Sequence, residues 1–175
     1  MSRLSGPRVF IVCSTLFVLA NLAAAQTKVA VINLQRAVLE SDEILKASAT
    51  METKYKPRQQ KIDEVNRELQ SIQQQLQAGA GKLTQQAEAD LNIQGQRKQK
   101  ELQRLNEDLQ ADVNAERNEI LSKSTQRMTE VVKKLAEEKG YDAVLDISNM
   151  VYYKPALEIT AEALAAYNKA NPVPK

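Results

Sequence analysis

Ile62, Val65, Leu69, Ile72 and Leu76 recur at alternating intervals of three and four, the spacing of a coiled-coil seam. Extended backwards, the same register collects Tyr55, Met51 and Ile44, with Arg58 and Ser48 as polar interruptions. The stripe resumes at Leu83, Ala87 and Leu91 and continues through Leu102, Leu105, Leu109 and Val113. Ile120, Met128, Val131 and Leu135 carry it to Lys139. The step from Leu109 to Val113 marks a stutter in the heptad. Between the halves, Ala78-Gly79-Ala80-Gly81 reads as a helix end, and Thr84 as the cap of the next helix. Ser41-Asp42-Glu43 supplies a cap and two acids where a helix start favours them. Gly140 is a natural stop. The pattern predicts a helical hairpin arm over 41–139, with its tip near 78–83 and a first helix about 55 Å long. Pro57 sits inside that helix, so a kink or break just before it is expected, giving a hinge near the root.

The flanks change period. Lys28-Val-Ala-Val-Ile-Asn33 reads as a short buried strand, followed by a brief helix over Leu34–Glu40 with Asn33 capping. After the arm, Ala143–Ile147 and Met150–Lys154 read as strands joined by a Ser148-Asn149 turn, with Pro155 ending the second. Thr160 is expected to cap a last helix through Lys169, with Leu164 and Tyr167 on one face. Asn171-Pro-Val-Pro-Lys175 reads as a loose tail. The three strands would form one small unit, which seldom buries enough surface alone. The fold class is α+β: a small sheet body over 26–40 and 140–175, carrying a long coiled-coil arm.

Residues 1–25 carry Arg3 and Arg8 before an apolar run from Val9 to Leu19, then Ala23-Ala24-Ala25. That is the layout of a cleavable secretory signal peptide, and the run is short of the roughly 20 residues that span a bilayer. Cys13 lies inside the apolar run, so lipidation at the cleavage site is not expected. Removing the segment takes away Cys13, Phe10 and Phe17, leaving Tyr55, Tyr141, Tyr152, Tyr153 and Tyr167 as the aromatics. The formal charge of +2 falls to zero, because the segment holds two arginines and no acid. A neutral chain without Cys or His cannot form disulfides and lacks soft metal ligands. No cofactor or metal is expected, and overall charge argues against nucleic acid as a partner. With about 100 residues in the arm, about 50 remain for the body, near the size at which a domain needs a partner subunit.

This ordering resembles the Skp/OmpH family of periplasmic chaperones. The matching pieces are the export signal, Lys28-Val-Ala-Val-Ile-Asn33, the long hairpin, Asn114-Ala-Glu-Arg117, Gly140-Tyr-Asp-Ala-Val-Leu-Asp146 and Glu158-Ile-Thr-Ala-Glu-Ala-Leu164. The resemblance implies a homotrimer, with each chain giving strands to a central barrel-like β body and three arms projecting around a cavity. It implies an ATP-independent holdase of the periplasm, keeping unfolded outer-membrane β-barrel proteins from aggregating. Two features depart from the family: its best-known members are strongly basic, and its arginine pair for lipopolysaccharide aligns with Ala111 and Asp112. That puts lipopolysaccharide and membrane contact in doubt for this chain, and the site is not carried over.

Two surfaces are candidate client contacts. Lys54, Lys56, Arg58 and Lys61 lie on the descending helix, and Arg97, Lys98, Lys100 and Arg104 on the ascending one. Equal rise on both sides of the tip is expected to bring them to one level as a basic band steering acidic chains; the plainer reading is a solvated face laced with ion pairs. The Gln- and Ala-rich tip offers Leu76, Leu83 and Leu91, or is simply a turn. Asp142, Asp146 and Glu158 near the sheet are the remaining carboxylates for catalysis, with no convergent pocket signal, so the chain does not read as an enzyme. The rival reading is a structural or adaptor coiled coil that binds one specific partner in the periplasm.

Overall fold

The computed structural model describes residues 27–173; the segment read as a signal peptide and the end of the tail lie outside them. The elements follow in the order β1 (Val29–Ile32), α1 (Leu34–Leu39), α2 (Asp42–Ala78), α3 (Gln85–Lys139), β2 (Ala143–Asp146) and α4 (Thr160–Ala170). Single 3-10 turns occupy Ile147–Asn149 and Pro155–Leu157.

The two strands pair in parallel, Val29 opposite Ala143 and Ile32 opposite Asp146. Parallel strands require a crossover connection, and here α1 and the entire arm form it. The far edge of β1 is taken by the chain just before α4: Val31 bridges Glu158, and the Ile159 N–H donates to the Val31 carbonyl at 2.9 Å.

Local chemistry sets the helix ends. Asn33 Oδ1 accepts from the Arg36 N–H at 2.9 Å, and Thr84 Oγ1 from the Ala87 N–H at 3.2 Å. Ser41 is fully buried at the α1–α2 corner, where its hydroxyl donates to the Val38 carbonyl and caps α2. Gly140 adopts φ 66°, and the Tyr141 N–H closes back onto the Ala136 carbonyl at 2.9 Å, the left-handed ending that favours glycine.

The body has a real, if small, core. Ala30, Ile32, Ala37, Val38, Ile159, Ala163 and Tyr167 pack with Ile44, Met128 and Leu135 of the arm root. The last turns of α3 are therefore as much body as arm, which relieves part of the shortage of apolar surface expected of so short a body. Tyr167 is the largest fully buried side chain. Its hydroxyl donates to Glu43 on the first turn of α2, and Arg127 of α3 approaches the same carboxylate at 2.7 Å. One acid thus joins α2, α3 and α4 where arm meets body.

Three expectations are corrected. Met150–Lys154 forms no strand: both edges of β1 are already filled, and after β2 the chain enters a 3-10 turn capped by Asp146 and does not pair with the open edge of β2. The helix is not broken at Pro57, since α2 runs through it from Asp42 to Ala78. Thr160 does not cap α4; it is the first helical residue, and its buried Oγ1 accepts from the Asn33 N–H at 2.9 Å, tying α4 to β1. Leu164 and Tyr167 do lie three apart on α4, where Tyr167 is buried with Thr160 and Ala163 and Leu164 is half-buried.

Candidate functional site

The arm is an antiparallel pair with a thin seam. Ile62, Val65 and Ile72 of α2 are buried, while Leu69, Leu76, Leu83 in the turn and every seam residue of α3 from Ala87 to Val113 are half-buried. A single apolar face pairing with one partner cannot do better, because each helix leaves most of its circumference to water. The gap in the sequence stripe between Leu91 and Leu102 is filled by Gly95 and Lys98. A methyl group on Gly95 would lie 3.6 Å from Ile72. Lys98 reaches across to Glu68 at 2.7 Å and along its own helix to Glu101 at 2.9 Å. Those two carboxylates raise the Lys98 pKa above its ordinary value, despite partial desolvation.

Cross-helix pairs set the register. Lys54 meets Glu116 at 2.6 Å, and Arg58 meets Asp112 at 2.6 Å. The levels facing each other are thus 54 with 116 and 68 with 98, so the two basic stretches are staggered along the arm. Lys54 to Lys61 face the segment near 109–116, and Arg97 to Arg104 face the segment near 62–72. The expectation of one common level assumed a symmetric tip; instead α2 stops at Ala78 and α3 starts at Gln85, and the intervening turn shifts the register.

The stagger divides the eight cations by role. Lys54, Arg58, Lys61 and Lys98 are held in ion pairs. Lys56, Arg97, Lys100 and Arg104 are exposed and have no acidic partner among the described residues. Arg97, Lys100 and Arg104, at spacings of three and four, share one face of α3 turned away from the seam. Like charges at that spacing cost a few tenths of a kcal/mol per pair in a helix. At the tip, Leu76, Leu83 and Leu91 are all half-buried. Leu83 packs so closely on Gly79 that a methyl there would lie 2.6 Å from its side chain. The exposed large hydrophobe of the outer arm is Ile93, 47% exposed, which the stripe did not flag because it lies off the seam.

The model of the OmpH-like outer membrane proteins matches residues 28–167. The chain belongs to that family. It is 25% identical over 160 residues to the Skp-like protein of Pseudomonas aeruginosa, covering 91% of this chain and 95% of that one. It is 29% identical to the chaperone protein Skp of Pectobacterium atrosepticum, covering 84% and 90%. A solved OmpH-like outer membrane chaperone from Caulobacter crescentus has the same fold, with a TM-score of 0.69, 20% identity, and coverage of 84% and 87%. OmpH-like proteins are periplasmic chaperones, and membership supports a chaperone role for this chain.

In this OmpH-like arm the ion pairs carry a pH dependence. Hydrogen bonds from Lys54 and then Tyr55 hold the Glu116 carboxyl below its ordinary value of 4.5, and Lys61 does the same for Glu64. A depressed carboxylate contributes stability above its unfolded pKa, and the contribution is lost as pH falls through the folded value. Glu116→Gln is therefore expected to lower the Tm at pH 7, with the difference shrinking as the pH is taken below 4.5. Melting curves from pH 7 downwards check this, and a difference that does not shrink with falling pH would count against it.

Proposed function

We propose that the chain is an ATP-independent holdase of the periplasm that encloses unfolded outer-membrane β-barrel proteins between the arms of a homotrimer. The observation that carries the reading is a long, thinly seamed hairpin rooted in a small body, matched to the OmpH-like family across residues 28–167. Such an arm offers extended, mostly polar surface and shallow hollows, suited to many weak contacts that sum to avidity. Assembly from copies is supported by what the body leaves open. Val151 is fully exposed, Tyr152 is 77% exposed, and Leu145 on β2 is 45% exposed. The segment Met150–Lys154, strand-like in composition, has no sheet partner among the described residues, and among them the outer edge of β2 is unpaired. An exported, mature chain is the form in which this activity is expected.

The test is light scattering as a urea-unfolded outer-membrane β-barrel protein is diluted with and without the chain. Suppression saturating near one trimer per client supports an enclosing holdase. A folded protein that gives no suppression points instead to an adaptor with one specific partner. The staggered cations refine the reading: those without an acidic partner among the described residues, Lys56, Arg97, Lys100 and Arg104, are the ones free to steer an acidic client. Replacing all four with Gln is expected to weaken capture several-fold at low salt, with the difference fading as the Debye length shrinks to about 3 Å at 1 M salt. Equal capture at low salt would remove these cations from the mechanism.

A further inference from the structure

Where α1, α2 and α3 meet at the arm root, the surface dips into a hollow of about 300 Å³ walled by Leu39, Ile44, Met51, Ile120 and Leu121. A second hollow lies beside it, between α1, α3 and the turn after β2, and Arg117 lines both. Leu39 is 40% exposed here, so the wall is open to solvent.

The charge at this place is unusual for the arm root. Nearby cations are satisfied: Lys54 by Glu116, Lys123 by Glu119 and Arg127 by Glu43. Arg117 is exposed and has no acidic partner among the described residues. Its helical neighbours at three and four residues are Val113, Asn114, Ile120 and Leu121, none of which can neutralise it. Glu116, next to it in Asn114-Ala-Glu-Arg117, is committed to Lys54 and Tyr55 on α2. The first hollow has no acid in its lining. The second has Asp146, whose carboxylate already accepts from the Leu34 N–H at 3.3 Å and from Ser148.

We propose that the Arg117 hollow is a docking site for an unfolded client, taking an apolar side chain whose neighbour in an extended segment is acidic. The apolar side chain enters the well formed by Leu39, Ile44, Met51, Ile120 and Leu121. The adjacent carboxylate meets the Arg117 guanidinium, whose fixed fork of donors suits it. Charge complementarity selects this occupant: an apolar well with an unneutralised arginine beside it penalises basic segments and favours acidic ones. The position, at the root of the arm, would anchor the client near the body. The proposal rests on the holdase reading and names which client segments engage the root.

The probe is a fluorescently labelled, amidated peptide in which Phe and Glu alternate, with a Phe/Lys peptide of the same length as control. Fluorescence anisotropy is expected to show the parent protein binding the Phe/Glu peptide in preference to the control. Arg117→Gln should weaken the Phe/Glu peptide roughly three- to fivefold, as expected of a solvent-accessible charge pair, and leave the control unchanged. Ala47→Phe, which fills the hollow from α2, should weaken it about tenfold by excluding the side chain. Circular dichroism verifies that both variants keep their helices, and Arg117, being exposed, can be changed without loss of fold. Unchanged affinity in Arg117→Gln overturns the proposal. So does a hollow occupied by a second copy, in which case Ala47→Phe shifts the oligomeric state rather than peptide affinity. Light scattering separates the two levels: suppression without peptide selectivity overturns only the docking site, and loss of suppression in the parent overturns the holdase reading.

Discussion

Tyr167→Ala is expected to cost about 3–5 kcal/mol, the range for deleting a large buried aromatic, and so to remove much of a stability that is typically 5–15 kcal/mol in total. Tyr167 is fully buried and packs in the one cluster that joins β1, α1 and α4 to Met128 and Leu135 of the arm root. Its hydroxyl also donates to Glu43, which Arg127 holds from the other side. Burial and then this carboxylate push the hydroxyl pKa up, so the group stays a donor throughout the physiological range. Tyr167→Phe isolates the polar part: the ring remains, one hydrogen bond to a charged group is lost, and the expected cost is about 1.5–3 kcal/mol. Because Glu43 keeps Arg127, the lower end is the better guide. Urea unfolding followed by circular dichroism, at one fixed protein concentration since assembly contributes to stability, measures both. A loss below about 1 kcal/mol in Tyr167→Ala would mean that the body is held by contacts between copies rather than by this core.

The arm was legible in the sequence because its two signals are local. The three-four spacing from Ile44 to Leu76 and from Leu83 to Leu135 shows in the chain itself, and the caps Ser41, Thr84 and Gly140 act on residues within four positions. The body was only half legible, because its bonds run between residues more than a hundred positions apart. Thr160 reads as a cap by type, yet it is drawn inward by the Asn33 N–H, 127 residues away in sequence. Met150–Lys154 has the β-branched and aromatic content of a strand, but both edges of β1 are filled and the segment does not return along the open edge of β2. Register across the hairpin was hidden for another reason. Counting equal rise from the tip gives the correct direction of the return, but the length of the turn sets the stagger, and that stagger decides which cations find acids. Lys54 and Arg58 met Glu116 and Asp112, whereas Arg97, Lys100 and Arg104 met none. The family resemblance, carried by the two ends of the chain, agreed with the matched fold, and the arm pattern alone would have fitted many coiled coils.

Pro57→Ala is expected to stabilise the arm by as much as about 3 kcal/mol, the cost of a proline in a helix interior. The sequence pointed to a kink or break here, and the structure shows α2 continuing through Pro57 without a break, so the penalty is carried within a continuous helix. Proline brings no N–H for the Thr53 carbonyl one turn back, and the Thr53 hydroxyl is turned the other way, donating to the Ala49 carbonyl at 3.0 Å. Pro57 is exposed and lies off the seam, so alanine would disturb no contact with α3 and the effect would be one of backbone alone. Gly95 is its counterpart on α3. A methyl there would stand at ordinary contact distance from Ile72, so sterics do not require glycine, and Gly95→Ala should add about 1 kcal/mol. The two sites are far apart along the arm, so their effects should sum. Both positions weaken a structure that could have been stiffer, which fits the proposed holdase, whose arms would bend to enclose clients of different size. Amide hydrogen exchange is expected to slow along both helices in the double variant, while client capture slows although stability rises. Slower exchange with undiminished capture would show that bending of the arm contributes nothing to function, and unchanged exchange would show that neither residue softens it.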